Sequence, residues 1–164
     1  MNGPVLLRLI LGQGERWVIW QPGDLSADVL VCRAGRLAAF TDADEAQIWA
    51  AAKNWTLTIG NTCDFTAVLR HLRGEQLQAD ASALLGIWNL SMDLAQGLLK
   101  FGHPVLSRSA ALDLLHDQLT ALAMPWSVLD QPPQWADLDG GVLEQVMTQA
   151  TSLFEQQFSA ALQA

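Results

Sequence analysis

Few residues of this sequence have the types and spacings that catalysis or metal binding requires. The three histidines, His71, His103 and His116, are isolated from one another, and no nucleophile motif, metal-binding His pair or phosphate-binding glycine loop occurs. Cys32 and Cys63 show neither the spacing of a zinc site nor that of a disulfide framework. We therefore expect no enzymatic activity, no metal and no cofactor, and a reduced cytoplasmic setting.

The segment Asp137-Leu-Asp139-Gly-Gly begins like a calcium-binding loop. Counted from Asp137, however, the twelfth residue is Thr148, where such a loop requires a bidentate glutamate. We interpret the segment as a turn followed by the N-terminus of a helix, because acidic side chains are favourable at that end of the helix dipole.

Composition and charge indicate a globular protein with an acidic second half. Hydrophobic residues make up 51% of the chain and charged residues only 16%, which argues against disorder. Residues 74 to 164 hold ten of the 17 acidic residues but only two basic ones, Lys100 and Arg108, so the net charge of −8 belongs to this half. An acidic field repels nucleic acid and attracts basic partners, although acidity can also serve solubility alone.

Asp113 and Asp117 are the most informative acidic pair. They lie at i and i+4 of a predicted helix, with no basic residue within a turn, so their repulsion costs stability. Two interpretations stay open: an ordinary solvated acidic face, or a surface kept ready for a basic partner.

A second candidate surface is the loop rich in Pro and Trp that follows this helix. Its acidic side chains are Asp130, Asp137 and Asp139, and its aromatic ones are Trp126 and Trp135. Tryptophan is enriched at interface hot spots, and loops on a rigid scaffold commonly carry binding. Alternatively, both rings could simply cover the core beneath the loop.

The first 60 residues are typical of β-hairpins. Two pairs of β-rich runs each flank a glycine-containing turn: residues 5 to 11 and 16 to 20 around Gly12-Gln-Gly14, and residues 29 to 33 and 36 to 40 around Ala34-Gly35. A short helix over residues 41 to 53 follows, with Thr41 as its N-cap. Residues 55 to 59 predict one more strand, which Gly60-Asn61 would end.

From residue 64 onward the apolar period becomes that of helices. We predict four of them: a short one ending at Gly74, a long one from the N-cap Asp80 to a last turn containing Lys100, one over residues 109 to 124, and one over residues 142 to 162. No run reaches the ~18 apolar residues of a membrane span, and the start of the chain lacks a basic signal-peptide region. We expect a single unexported α+β domain, with strands in residues 1 to 60 and helices in residues 64 to 164.

The long helix contains the sequence LLGIWNLSMDLAQGLLKFG, which is apolar around most of its circumference. Its polar side chains lie on one stripe, namely Asn89, Asp93, Gln96 and Lys100. We predict that the helix runs through the core and that the stripe ties it to the N-terminal layer. Gly86 and Gly97 would let a neighbouring element approach closely.

Two short motifs resemble those of a known family. Phe40-Thr-Asp42 follows a predicted strand, and Leu85-Gly-Ile87-Trp88-Asn89-Leu90-x-x-Asp93 lies in the long helix. Both are similar to motifs of immunity proteins from bacterial contact-dependent growth inhibition and related polymorphic toxin systems. The resemblance implies a small cytoplasmic protein that forms a heterodimer with a basic toxin domain, often a nuclease, and blocks its active site. From their place in the buried helix we expect Trp88, Asn89 and Asp93 to be structural, and we assign the same role to Phe40 and Asp42, which the resemblance groups with them.

Two functions therefore compete. The first is an immunity protein whose acidic second half, through Asp113, Asp117 and the Trp-rich loop, covers a basic toxin, without contacting nucleic acid or membrane. The second is a small acidic secretion chaperone or adaptor, which would act as a dimer and hold its partner in extended form.

Overall fold

The computed structural model describes residues 3 to 74, 81 to 124 and 134 to 162, the last three of these by their backbone alone. The described part of the chain has an α+β fold, with strands first and helices mostly after them, as the sequence predicts. The seven strands are β1 (Val5–Leu11), β2 (Gly14–Gln21), β3 (Val29–Leu30), β4 (Cys32–Arg33), β5 (Arg36–Leu37), β6 (Ala39–Phe40) and β7 (Thr58–Asp64). Five of them form one sheet in the order β3-β2-β1-β7, with β6 also paired to β2, while β4 and β5 form a separate ribbon.

Both predicted hairpins are confirmed. Strands β1 and β2 pair antiparallel with Leu11 opposite Gly14, which leaves a two-residue turn between them. In the second hairpin, Ala34 and Gly35 both have positive φ angles, of 49° and 74°. Positive φ at both central residues is the geometry whose twist matches that of the flanking strands. The predicted longer strands around this turn are broken, because the chain leaves the main sheet to form the β4–β5 ribbon.

The predicted strand over residues 55 to 59 was placed too early. Strand β7 runs from Thr58 to Asp64, straight through Gly60-Asn61, and pairs parallel with β1. A side chain at Gly60 would meet the side chains of Val5 and Leu7 at 2.5 and 2.7 Å. Gly60 is thus required by close packing against β1 and does not end the strand.

The first helix is shorter at both ends than the predicted range of residues 41 to 53, and its N-cap lies one residue later. Helix α1 spans Ala43–Ala51, and its N-cap is Asp42, whose Oδ1 accepts a 2.8 Å hydrogen bond from the Glu45 backbone N–H. Thr41 precedes the cap, and its backbone N–H and hydroxyl both donate to the Glu45 carboxylate. The N-cap is therefore Asp42 and not the predicted Thr41, and Glu45 joins Thr41 to the first turn of the helix.

The remaining helices are α2 (Phe65–Leu72), α3 (Ala81–Gly97), α4 (Ala110–Ala123) and α5 (Gly140–Leu162), with 3-10 turns at Pro104–Leu106 and Trp135–Asp137. Helices α2 and α4 match their predicted bounds closely, and the N-cap of α4 is Ser109, the first residue of its predicted range. The predicted N-cap of α3, Asp80, lies outside the described residues. No helix in the described ranges is both long and apolar enough to cross a bilayer.

Helix α3 ends earlier than predicted. Its last helical residue is Gly97, and the Lys100 N–H donates to the Ala95 carbonyl while the Leu99 N–H donates to that of Gln96. This pair of bonds is a Schellman motif, and it places Leu99 in the left-handed region with a φ of 57°. Leu99 and Phe101, which the sequence assigns to the apolar circumference of the helix, lie beyond its end and are exposed.

The main sheet separates two hydrophobic cores. Along β1, Leu9 and Leu11 belong to the larger core, shared with α2, α3, α4 and α5, whereas Leu6 points to the other face. There it joins Phe40 and the buried face of α1 in a smaller core. Helix α3 lies between the sheet and the other helices and buries nine of its 17 residues, which confirms the prediction of a central buried helix.

Candidate partner-binding groove

The polar stripe of α3 connects the helix to both of its neighbouring layers. Asp93 Oδ2 accepts a 3.1 Å hydrogen bond from the indole Nε1 of Trp20 on β2, as expected for a link to the N-terminal layer. Asn89 instead faces α4, where its Oδ1 lies 2.9 Å from His116 Nε2. The expectation that the whole stripe contacts the sheet is therefore wrong. Because an amide oxygen only accepts, His116 Nε2 carries the hydrogen in this contact.

The two glycines of α3 differ in role. At Gly97, a side chain would lie within 3.6 Å of the Leu30 carbonyl and the Cys32 sulfur, so the β3–β4 segment does approach α3 closely. At Gly86 a side chain would meet nothing within 4 Å, so the predicted close approach is wrong there.

Asp93 has an unusual electrostatic environment. Burial between α3 and β2 raises the pKa of its carboxyl group to about 6, and the negative charge of Asp28 acts in the same direction. The hydrogen bond from Trp20 lowers the pKa but does not compensate for burial. At neutral pH the carboxylate is ionised, which lowers the free energy of unfolding. Its hydrogen bond to Trp20 nevertheless connects α3 to the sheet.

A groove of about 420 Å³ lies on the flank of α3 that faces α4, and we call it the α3–α4 groove. Its lining comes from α3 (Trp88, Met92 and Gln96), from the segment that joins the two helices (Val105, Leu106, Ser107 and Arg108) and from α4 (Leu112, Asp113, His116 and Asp117). This volume lies in the range of ligand-binding pockets.

The floor of the α3–α4 groove is built from core residues. Trp88 is only 4% exposed, and its ring meets the ring of His116 edge to face, with centroids 5.1 Å apart. Since Asn89 holds His116 by its ring nitrogen, the contact fixes both rings. Val105 is buried beside them, and Met92 and Leu112 are partly buried. The floor is therefore fixed by the core, and its apolar surface comes from Met92 and Leu112 more than from the buried Trp88 and Val105.

The rim of the α3–α4 groove carries charge. Asp113 and Asp117 are both exposed there, one turn apart on α4. No basic residue lies within a turn of them along α4, but Arg108, which precedes the helix, places its Nε 3.6 Å from Asp113 Oδ1. Arg108 directly precedes the N-cap of α4, so its long side chain can reach the first turn. Within the described parts of the chain, no ion pair involves Asp117.

Among the other predicted contact residues, Trp135, Asp137 and Asp139 do not line the groove. Trp135 is 44% exposed, and its ring lies 6.4 Å from that of His71 on α2. Asp137 accepts from the Gln134 N–H across the 3-10 turn, and Asp139 accepts from the Val142 N–H at the start of α5. This agrees with the interpretation of the segment as a turn and helix N-terminus. Trp126 and Asp130 lie outside the described residues.

Phe40 and Asp42 lie on the opposite side of the sheet from the α3–α4 groove. Phe40 is buried in the smaller core, and its ring contacts that of Trp49, 5.6 Å away. Asp42 caps α1. Within the five residues of the two resembling motifs, only Trp88 also lines the groove.

Sequence reasoning missed several residues of the groove. His116 was set aside as an isolated histidine, yet its position between Asp113 and Asp117 on α4 already places it on the same flank of that helix. The sequence predicts Met92 for the core and Gln96 for the polar stripe. Both follow Trp88 at helical spacing, i+4 and i+8, which places all three on one flank of α3. The contribution of Val105 depends on how the chain turns between α3 and α4, which no local pattern indicates.

Comparison with known proteins identifies no relative: no protein-family model matches this sequence, and no curated protein or solved structure is significantly similar to it. What the structure defines is thus an α+β protein with an acidic-rimmed, apolar-floored groove in its helical layer. Such a groove suits a ligand group that is apolar along its length and positively charged at its end.

Proposed function

We propose that this chain is an immunity protein that binds a basic toxin domain in the bacterial cytoplasm and covers its active site as a heterodimer. The class of partner comes from the resemblance of residues 40 to 42 and 85 to 93. The observation that carries the proposal is the distribution of charge: the whole net charge of −8 belongs to residues 74 to 164, the part of the chain that builds the α3–α4 groove.

The acidic residues of the helical layer divide into two groups. Asp93 and Asp139 accept hydrogen bonds within the fold. These residues add to the long-range field that would draw in a basic partner. Asp113 and Asp117, exposed on the groove rim, are better placed for direct contact.

A basic nuclease is a suitable partner for this arrangement. Its substrate groove must attract nucleic acid and is therefore positively charged. An acidic protein surface can occupy the same groove through complementary charge, which blocks the substrate without any chemistry by the inhibitor.

The test expresses this chain together with the C-terminal domain of a secreted protein encoded directly upstream of it. We expect the toxin domain alone to stop growth, co-expression to restore growth, and a one-to-one complex to elute in size-exclusion chromatography with light scattering. Growth arrest without rescue, and without a complex, would contradict the proposal. A stable dimer of this chain that holds an extended partner would instead favour the secretion chaperone.

Electrostatic attraction can be measured separately in the same complex. Between about 0.05 and 0.5 M salt the Debye length falls from roughly 14 Å to roughly 4 Å, so the association rate should fall by about tenfold or more. The dissociation rate should change less, because contacts at short range are screened less. An association rate that is independent of salt would show that the acidic half does not steer binding.

A further inference from the structure

We propose that the α3–α4 groove receives an arginine side chain of the partner. The identity of the partner rests on the proposed function, whereas the preference of the groove for arginine follows from its own residues. An arginine side chain is thus the group that the partner would present at this site.

The shape and lining of the groove suit the methylene stem of a long basic side chain. Its floor consists of Trp88, Met92, Val105 and Leu112, and its volume is about 420 Å³. The methylene stem of a long basic side chain can lie along such a surface while its charged end stays at the rim. Because the floor is held by the core and by the Trp88–His116 contact, little ordering is required on binding.

The two carboxylates of the groove rim have the spacing that a guanidinium group requires. Asp113 and Asp117 lie at i and i+4 of α4, an arrangement that places their Cβ atoms about 6 Å apart. A guanidinium group has five N–H donors in a planar fork and can bond to two carboxylates at once, whereas an ammonium group is a point charge. The paired carboxylates therefore favour arginine over lysine.

Arg108 shows that the rim accepts a guanidinium group. Its Nε lies 3.6 Å from Asp113 Oδ1, although its side chain is 85% exposed. Exposed ion pairs of this kind contribute little to stability. A partner arginine can thus displace Arg108 at small cost and bond to Asp117 as well.

The first experiment uses this chain alone, with blocked arginine (acetyl-arginine methylamide) as the probe and blocked citrulline as its uncharged isostere. In NMR titrations we expect saturable shifts of the Trp88 indole, the Gln96 amide and the His116 ring with arginine. Citrulline should bind about tenfold more weakly or not at all. Equal binding of both probes, or arginine shifts elsewhere on the surface, would overturn the inference.

Two sets of variants sharpen this titration. Asp113→Asn/Asp117→Asn should weaken arginine binding by about tenfold, and Arg108→Gln should strengthen it because a competing guanidinium is removed. Asp24→Asn/Asp44→Asn removes the same total charge from exposed positions in the first half of the chain and should leave arginine binding unchanged. An equal loss in both double variants would mean that only net charge matters.

The second experiment repeats the comparison in the toxin complex. Asp113→Asn/Asp117→Asn should weaken the complex by about tenfold or more, and Asp24→Asn/Asp44→Asn should not. A tight complex that is insensitive to both would leave the proposed function standing and overturn the groove inference. Selective arginine binding by this chain, with no toxin complex, would leave the groove inference standing and contradict the proposed function.

Discussion

The carboxyl group of Asp93 should lower the free energy of unfolding as the pH rises. Burial between α3 and β2 raises its pKa to about 6, above its value of 3.8 in an unfolded chain. Between those values the folded protein holds a proton more tightly than the unfolded chain does, so the contribution of Asp93 to stability falls as the pH rises from about 4 to about 6. Above that window the loss is complete.

The structure also gives the size of the effect. In a fully buried site, a pKa difference of this size would correspond to about 3 kcal/mol. Asp93 is only partly buried, and solvent screens its charge, so we expect about 1 to 2 kcal/mol. Asp93→Asn keeps an oxygen that accepts from Trp20 Nε1 but cannot ionise. The variant should therefore be more stable than the natural protein by this amount at about pH 7 and equal to it at about pH 3, below the unfolded pKa.

The measurement is urea unfolding, followed by circular dichroism, of both proteins across this pH range. Because the other carboxylates titrate alike in both, the difference between the two proteins isolates Asp93. Asp24→Asn, an exposed change of the same chemistry, should run parallel to the natural protein at all pH values. If Asp93→Asn were less stable at neutral pH, the carboxylate would be stabilising the fold and the reasoning would be refuted.

Three changes in or near α3 test its packing by the same unfolding measurements. Trp88→Ala should lower the free energy of unfolding by about 3 to 5 kcal/mol, because it is a buried large-to-small change. Trp135→Ala, at a ring that is 44% exposed, should lower it much less. Full stability of Trp88→Ala with loss of partner binding would contradict the structural role of Trp88. Leu99→Gly should gain about 1 kcal/mol because glycine adopts its positive φ without strain. Gly86→Ala should gain about 0.5 to 1 kcal/mol, since a helix prefers alanine and the added methyl meets nothing within 4 Å; a loss in either variant would show that the local geometry is wrong.

The elements that sequence predicts well are those whose signals are local. The turn Ala34-Gly35, the start of α4 near Ser109 and the apolar period of α3 each depend on a few residues of chain, and the structure has all three. The errors occur where tertiary contacts decide. Gly60 looks like the end of a strand until β1 packs against it, and Leu99 adopts a conformation that sequence assigns to glycine.

The candidate site follows the same division. Asp113 and Asp117 were selected from charge and helical spacing, and both lie on the groove rim. Their neighbour Arg108 was overlooked because it lies before the helix, where helical spacing does not apply. The floor could not be predicted, because it exists only where α3 and α4 approach each other around the Pro104–Leu106 turn.

The resembling motif in α3 supports the groove through a chain of contacts within the fold. Asn89 holds His116, His116 packs against Trp88, and Trp88 forms part of the groove floor. Asp93 fixes the same helix to β2 from its other side. The helix is thus held by side-chain hydrogen bonds on both sides, which order the groove floor within the fold itself. Asn89 and Asp93 therefore support the groove from within the fold without lining it.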